Sequence, residues 1–339
     1  MKPQSVLVTG GAGFIGSELV RQLVDAGHNV IAVDNLVSGK RENVDGLPAS
    51  NFKFVKQDIR EQGAMAALLQ KVQVVFHLAC LGVRHSIHSP VENHEVNAAA
   101  TLHLLGLARA SGVKRFVYVS SSEVYGTAKW VPMTEEHPTY PATVYGSSKL
   151  AGECYTRAYW HTYEYPTVVV RPFNAYGPRC HHEGDSGEVI PKFMLRSMVG
   201  KPMIIFGDGT QTRDFTFVSD TARGIALAGF SDKAVGHTIN LGNGREIQIN
   251  ELAKTVADIM GISSAKIEHD APRPADVLRL CAETKKAREL LDFAPTISLK
   301  DGLKKLLAWY KASGKSAEAL LEDERVHNWK PMIPAPKEE

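Results

Sequence analysis

Thr9-Gly10-Gly11-Ala12-Gly13-Phe14-Ile15-Gly16 follows the apolar run Ser5-Val6-Leu7-Val8 and opens a helix-period segment that runs to Ala26. Strand, glycine turn and helix in that order begin a dinucleotide-binding unit. Gly10 permits the tight turn, Gly13 lets the backbone approach a pyrophosphate at the helix N-terminus, and Gly16 lets helix and strand pack closely. Phe14 and Ile15, in the first helical turn, belong to the same expected site. Asp34 closes the second apolar run, 18 residues after Gly16. A carboxylate there accepts hydrogen bonds from the adenosine ribose and repels a 2′-phosphate, which points to NAD rather than NADP. The alternative for Asp34 is a turn cap with Asn35. Asn35, Ser38 and Gly39 beyond it, and Asp58 and Ile59 after the third strand, extend the expected cofactor site; Asp58 reads as an adenine contact or as a solvated turn residue.

Working outward, short β-branched runs alternate with helical stretches up to about residue 175. The expected strands are Ser5 to Val8, Asn29 to Val33, Phe52 to Val55, Val72 to Leu78, Arg115 to Ser120 and Thr167 to Arg171, and the expected helices are Phe14 to Ala26, Gln62 to Gln70, Pro90 to Ala110 and Val144 to Tyr163. Apolar runs without polar alternation suit strands buried on both faces, with the helices as crossovers. The fold class is therefore α/β, a Rossmann-type doubly wound parallel sheet. After Pro178 the rhythm shortens. A helix is expected near Ile190 to Val199, a strand at Met203 to Phe206, and helices at Val218 to Ala228, Ile249 to Met260, Thr284 to Leu291 and Leu299 to Lys311. The expected division is 1–178 for NAD, 179–320 for a smaller α+β substrate lobe from which some chain returns to the first domain, and 321–339 as a proline-rich tail that docks or stays mobile.

Composition narrows the class of partner. The 339 residues are 44% apolar, enough for a sizeable core, and 39 basic against 37 acidic side chains leave a formal charge of +2. A dedicated nucleic-acid or membrane-surface binder carries a one-signed field that this chain lacks. Cys80, Cys154, Cys180 and Cys281 stand far apart without a C-x-x-C pair, so neither a disulfide framework nor a zinc site is expected. Cys180-His181-His182-Glu183 and His85-x-x-His88 hold ligand-type residues, but neither spacing completes a four-ligand set. With no leader pattern or membrane span, a soluble cytoplasmic protein with a small-molecule partner is expected.

Tyr145 and Lys149 are spaced i, i+4 on an expected helix and so project from one face. An ammonium beside a phenol favours the phenolate, which lets Tyr145 take a proton from a sugar hydroxyl near neutral pH. Ser121 lies 24 residues upstream. With the glycine turn, this set resembles the extended short-chain dehydrogenase/reductase family, specifically its NAD-dependent nucleotide-sugar epimerases and dehydratases. The resemblance runs from Lys2 to about Tyr310. It is carried by Thr9 to Gly16, His77-Leu78-Ala79, Asn97, Ser120 to Gly126, Tyr145 to Lys149, Arg171-Pro172-Phe173-Asn174 and Gly207 to Phe215. It implies that Ser121 hydrogen-bonds the reacting hydroxyl, that Tyr145 is the acid/base, and that Lys149 holds cofactor and tyrosine. It also implies that Leu78, Ala79, Asn97 and Pro172 lie along the cofactor. Asn174 would meet the nucleotide-sugar phosphates, and Arg213 and Arg273, with Asp276 beside them, would grip the diphosphate. UDP is the commonest nucleotide in similar sequences, and pairing through the helices Pro90 to Ala110 and Val144 to Tyr163 would give a homodimer.

Two further observations bear on those roles. Guanidinium forks suit phosphate oxygens whatever the family, although a salt bridge between lobes is the competing use of Arg213 or Arg273. Arg179 and Arg223 are weaker phosphate candidates. The aromatic run Tyr155, Tyr159, Trp160, Tyr163 and Tyr165 reads as core or subunit contact. A regulatory protein that only senses NAD would share the fold but lose the tyrosine or the lysine, and both are present.

Within Ser120-Ser121-Ser122-Glu123-Val124-Tyr125-Gly126, Glu123 separates the possible reactions. Simple 4-epimerases of the resembled family usually lack this glutamate, whereas 4,6-dehydratases and uronate decarboxylases carry it. A C4 ketone acidifies the C5 proton, and a carboxylate above C5 can then remove it. Epimerisation at C4 needs no such base. The competing use of Glu123 is a hydrogen bond within the loop. Ser122 stands where dTDP-glucose dehydratases carry an aspartic acid, as in GDP-mannose dehydratase-like and decarboxylase-like sequences. Arg84, in Leu81-Gly82-Val83-Arg84-His85-Ser86, is either a solvated loop residue or a partner for a sugar C6 carboxylate. The expected order is 4,6-dehydratase, then 4-epimerase, then decarboxylase.

Overall fold

The computed structural model describes residues 2–330. Its centre is a parallel sheet of seven strands: β1 (Ser5–Thr9), β2 (Asn29–Asp34), β3 (Phe52–Lys56), β4 (Val74–His77), β5 (Arg115–Val119), β6 (Thr167–Pro172) and, much later, β10 (Thr238–Leu241). The order across the sheet is β10-β6-β5-β4-β1-β2-β3. β1 lies between β2 and β4 with Val6 beside Val30 and Val74, so the winding reverses there and a crevice opens at the strands' C-terminal ends. The expected strands are all present, and the inner ones form because they are buried on both faces, Val6, Phe76 and Val170 on one and Leu7, Val75 and Val169 on the other.

The crossover helices are α1 (Phe14–Asp25), α2 (Gln62–Leu69), the short α3 (His85–His88) and α4 (Pro90–His94), then α5 (Ala100–Ala110) and α6 (Val144–Tyr163). The single helix expected from Pro90 to Ala110 is interrupted by a π-helical turn, Glu95–Ala99. That turn carries Asn97 inward, where its amide bonds the Leu81 N–H and C=O and the Ser148 hydroxyl. An inserted residue in a helix is a common way to aim one polar side chain.

The remaining elements, in chain order, are β7 (Asn174–Tyr176), α7 (Val189–Met198), β8 (Met203–Phe206), β9 (Thr212–Phe217), α8 (Val218–Phe230), β11 (Glu246–Gln248), α9 (Ile249–Met260), β12 (Ile267–Asp270), α10 (Lys285–Leu291), α11 (Leu299–Ala312) and α12 (Ala317–Leu320). Part of this chain returns to the large sheet: β10 pairs with β6, and Ala222, Ile225 and Ala228 of α8 share a core with Leu19, Val20 and Leu23 of α1. A Cβ on Gly229 would come 2.3 Å from the Phe76 ring, so α8 lies tight against the sheet only because that residue is glycine. The other face is covered by α5 and α6, with Leu104, Leu105 and Tyr118 in its core. The smaller part is built on the sheet β11-β9-β7 and the pair β12-β8, packed by Phe193, Met194, Leu252, Val256, Leu303 and Leu306.

Past α12 the described chain packs on the smaller part. Glu324 pairs with Arg196 at 2.8 Å, Lys192 Nζ donates to the Arg325 carbonyl at 2.8 Å, and the Gly184 N–H donates to the Asp323 carbonyl at 2.9 Å. The proline-rich stretch Pro331 to Pro336 lies outside the described residues. Among the described residues no helix is long and apolar enough to cross a membrane.

Candidate active site

One cleft runs along the C-terminal ends of the large sheet and on into the smaller part. Its first section is the glycine turn. Gly10 has φ +68°, and a Cβ there would sit 2.8 Å from the Ala79 nitrogen; on Gly16 it would sit 2.0 Å from the Gly10 carbonyl. Both positions therefore require glycine. Gly13 caps α1 without any side-chain bond, which leaves the first-turn N–H groups free to meet an anion. Gly10, Gly13, Phe14, Ile15 and Gly16 all line the cleft.

Asp34 lies at the end of β2, 8% exposed, with its carboxylate accepting from Ala12 N–H at 3.0 Å and Leu36 N–H at 2.8 Å. Burial raises its pKa, against those N–H groups. Asn35, Ser38, Asp58 and Ile59 also line the cleft. Asp58 is held at a pKa of about 2, chiefly by hydrogen bonds from Arg60, and accepts from the Asn35 amide at 2.9 Å. Gly39 does not line the cleft; a Cβ on it would come 2.7 Å from the Asp34 carboxylate, so its role is to let the chain pass over Asp34. Asn97 also stays behind the wall, anchoring the Leu81 loop by the bonds described above. Leu78 and Ala79 do line the cleft, and the Thr9 hydroxyl accepts from both of their N–H groups at 3.2 Å. His77 bonds that hydroxyl at 2.7 Å and is kept neutral by burial, its pKa falling to about 3.

The reacting group of residues is assembled where β5 meets α6. Ser121 starts a tight turn, Ser122–Tyr125, its Oγ accepting from Glu123 N–H at 3.2 Å. Thr143 caps α6 through a bond from Gly146 N–H at 3.1 Å, and a Cβ on Gly146 would stand 2.8 Å from the Glu123 carbonyl. The first turn of α6 is thereby pressed against the Ser121 loop, with Ser121, Ser122, Glu123, Tyr145, Lys149 and Pro172 on one wall. Lys149 Nζ donates to the Val119 carbonyl at 2.6 Å, and burial lowers its pKa. The expectation that Lys149 brings the Tyr145 phenol down is corrected. Burial first, then the Cys80 thiol, raise that pKa well above the ordinary phenol, and the Ser121 hydroxyl is what opposes them. The Lys149 ammonium spends its hydrogen bond on backbone, and the Ser121 hydroxyl is the neighbour that favours the phenolate Tyr145 needs in order to accept a proton.

Glu123 differs from every other acid of the cleft. Asp34 and Asp58 accept hydrogen bonds, Asp276 pairs with Arg213 at 2.7 Å, and Glu188 pairs with Arg84 at 3.1 Å. Among the described residues the Glu123 carboxylate has no hydrogen-bond or ion-pair partner. Burial raises its pKa, with Arg213 opposing and Asp276 adding.

Facing this wall is a concentration of cations. Arg273 lies over the Phe206 ring at 5.2 Å, its Nε has no partner, and burial with neighbouring Arg84 brings its pKa to about 10. Burial and Arg84 also bring the Lys192 ammonium to about 8. Asn174, which also lines the cleft, has its side-chain amide oxygen buried without a partner. Arg179 and Arg223 are outside the cleft, bonded to Glu18 and Asp220 respectively. His181 and His182 both turn to Glu183, which pairs with Lys40 at 2.9 Å, and among the described residues no group of side chains could hold a metal. Sequence reasoning did not single out Cys80, Glu188, Lys192 or Trp329, all near or lining the cleft; nothing in their local pattern marks them, since each arrives there by tertiary packing.

A parallel sheet that reverses at a glycine turn, with serine, tyrosine and lysine at the ends of its strands, defines an NAD-dependent short-chain dehydrogenase/reductase. The chain belongs to the nucleotide-sugar epimerase and dehydratase branch of that class: the family model described as GDP-mannose 4,6 dehydratase matches residues 7–306. It is 37% identical to the UDP-glucose 4-epimerase of Mycolicibacterium smegmatis over 309 residues, 90% of this chain and 98% of that one. It is 36% identical to UDP-glucuronic acid decarboxylase 4 of Arabidopsis thaliana over 305 residues, 88% of this chain and 66% of that one. The structure of the dTDP-glucose 4,6-dehydratase of Streptomyces venezuelae, with NAD and TYD bound, superposes with a TM-score of 0.85 at 33% identity, covering 91% of this chain and 97% of that one. The protein is an enzyme, its cofactor is NAD, and its partner is a nucleotide sugar.

Proposed function

We propose that the enzyme is a nucleotide-sugar 4,6-dehydratase, with a UDP-hexose as its first-choice substrate. The observation that carries this reading is the unpartnered Glu123 carboxylate on the wall that holds Ser121 and Tyr145. A glutamate kept only to satisfy its loop would be bonded to that loop. In this reading residues 1–178, with the returning α8 and β10, bind NAD, and most of 179–320 binds the nucleotide sugar.

NAD, when bound, supplies the acceptor for the C4 hydride and returns that hydride to the sugar at C6. Tyr145 takes the proton of the C4 hydroxyl, which Ser121 orients, and Lys149 keeps both cofactor ribose and phenol in place. The resulting ketone acidifies C5, and Glu123 removes that proton. Ser122 is too weak an acid to expel a hydroxyl, so the protonated Glu123 passes its proton to the C6 oxygen, which leaves as water. Glu123, recharged with a proton from solvent, returns it to C5 as C6 is reduced, Tyr145 releases the C4 hydroxyl proton to solvent, and the product is a 4-keto-6-deoxy sugar. Arg213, Arg273 and Asn174 hold the diphosphate, and the excess of guanidinium groups suits four phosphate oxygens.

A 4-epimerase is the second reading, favoured by the likeness to the mycobacterial enzyme; it would use Ser121, Tyr145 and Lys149 and leave Glu123 idle. Decarboxylation is the third reading; it requires Arg84 to exchange Glu188 for the C6 carboxylate of a uronate. The four free cysteines agree with a reducing cytoplasm, and the apolar faces of α4, α5 and α6 suit a homodimer. Incubation with UDP-, dTDP-, GDP- and CDP-hexoses followed by mass spectrometry tests the choice: loss of one water supports dehydration, unchanged mass supports epimerisation, and loss of carbon dioxide from a uronate supports decarboxylation.

A further inference from the structure

The chain from Arg179 to Glu188, between β7 and α7, contains no helix or strand, yet it is pinned along its whole length. Arg179 pairs with Glu18 of α1. Glu183 pairs with Lys40, past the end of β2, at 2.9 Å. Asp185 meets His88 of α3 at 3.0 Å, and Glu188 meets Arg84, in the loop after β4, at 3.1 Å. Each of these partners belongs to the large-sheet part. From the other side the Asn328 amide donates to the carbonyls of Asp185 at 3.2 Å and Gly187 at 3.1 Å. The segment also closes on itself: the Glu188 N–H donates to the His181 carbonyl at 2.8 Å, and a Cβ on Gly187 would stand 2.7 Å from the His182 carbonyl.

The positions of the partners define what the segment crosses. β1 stands between β2 and β4 in the sheet, and the glycine turn leaves the end of β1. Lys40 lies on the β2 side of that turn, Arg84 and His88 on the β4 side, so the segment bridges the turn from one flank to the other. Lys40 is itself seated on the turn, its N–H donating to the Ala12 carbonyl at 3.0 Å. His181, Asp185 and Glu188 line the same cleft as Gly10, Gly13 and Asp34. Burial raises the Asp34 pKa, and the His181 ring is close enough to oppose it. Glu183 is the most heavily engaged residue of the segment: besides Lys40 it bonds His181 Nδ1 at 3.1 Å and accepts from the His182 N–H at 2.9 Å. Against its burial, the bonds from His181 and Lys40 hold its pKa well below the ordinary carboxylate range, so it stays charged. A dinucleotide with its pyrophosphate at the first turn of α1 and its ribose on Asp34 would pass beneath this crossing.

We propose that residues 179–188 are a strap that retains NAD, with the Lys40–Glu183 and His88–Asp185 pairs as its two latches, one on each flank of β1. The strap would serve a dehydratase, an epimerase or a decarboxylase alike, because in each the cofactor takes a hydride and returns it within one cycle and gains nothing by leaving. Partly exposed ion pairs hold weakly one at a time, so the strap opens at intervals and sets a rate of exchange. An obstruction of this kind slows entry and exit together. A residue that only touches the cofactor slows exit alone.

The test exchanges bound NAD for deuterium-labelled NAD on the full chain and follows the label by mass spectrometry, while equilibrium dialysis of the same holoenzyme gives Kd. In the double variant Glu183→Gln, Asp185→Asn, which keeps both side-chain shapes, release should be on the order of 10-fold faster with Kd nearly unchanged. Release at the wild-type rate overturns the proposal, whatever the variant does to the urea midpoint, since the pairs would then only fasten the two parts together. Release and Kd that rise in proportion also overturn it, because Glu183 and Asp185 would then steady the cofactor site rather than obstruct its mouth. Salt needs no variant: screening weakens the latches, so between about 0.05 M and about 0.5 M sodium chloride wild-type release should rise faster than Kd. A release rate that ignores salt, or only keeps pace with Kd, counts against the strap even where the double variant does not fold.

Discussion

In the proposed dehydration Tyr145 and Glu123 are two separate proton acceptors, and each can be removed alone. Tyr145→Phe keeps the ring that lines the cleft and removes the group that takes the C4 hydroxyl proton. Turnover should fall on the order of 10²- to 10⁴-fold while NAD content stays at the wild-type level; retained turnover would remove Tyr145 from the mechanism. Glu123 must be ionised to act, and burial raises its pKa. Activity should therefore fall as pH drops through a value above the ordinary glutamate range, and the kcat/KM profile measures where that limb lies. In Glu123→Gln that limb disappears, dehydration stops, and reduction of bound NAD by the substrate, read as absorbance of the reduced nicotinamide, persists. A glutamine variant with wild-type turnover would assign Glu123 to its loop. The serine, tyrosine, lysine and glutamate were legible in the sequence because each sits in a fixed local frame, a turn or a helical spacing. The upward shift of the Tyr145 pKa was not legible, since it follows from burial that only tertiary packing sets.

The elements carrying these side chains are tied by one buried pair. Arg171 of β6 meets Glu153 of α6 at 2.6 Å, donates to the Tyr125 hydroxyl at 2.7 Å, and lies almost wholly out of solvent. The Tyr125 hydroxyl in turn donates to the Asn240 side chain on β10 at 2.7 Å. Strand, catalytic helix, Glu123 turn and returning strand thus share one network. Arg171→Met should cost about 3–5 kcal/mol, because it strands a buried carboxylate, and adding Glu153→Met should recover much of that loss. Urea unfolding of the two variants measures this; equal stability of both would mean that the charges are solvated. The long elements were readable because strands buried on two faces are unbroken apolar runs. The π-helical turn at Glu95–Ala99 escaped, since one extra residue barely disturbs helical spacing while turning Asn97 inward. Asn97 and Gly39, expected to touch cofactor, stand behind the lining, Asn97 bonding the Leu81 loop and Gly39 letting the chain pass over Asp34; sequence spacing finds the neighbourhood of a site but not which side of its wall a residue occupies.

The whole molecule sets its cleft along the large sheet and the smaller part, with α8 and β10 returning to that sheet late in the chain. The return of β10 is short and apolar and so resembles its neighbours, while the path that brings Trp329 to the cleft has no local signature at all. On the outer face Val91, Leu102 and Tyr163, from α4, α5 and α6, remain exposed. Covering such apolar faces by a second copy would form a four-helix contact. Light scattering at micromolar concentration should give twice the 37.1 kDa chain mass; a monomer would leave those faces without a partner. The central claim concerns where the hydride goes, and the most direct measurement follows it. A nucleotide hexose deuterated at C4 is turned over in ordinary water, and the product is read by nuclear magnetic resonance and mass spectrometry. The account predicts a product lighter by one water, with the deuterium on C6. Deuterium returned to C4 in a product of unchanged mass would contradict it and make the enzyme an epimerase.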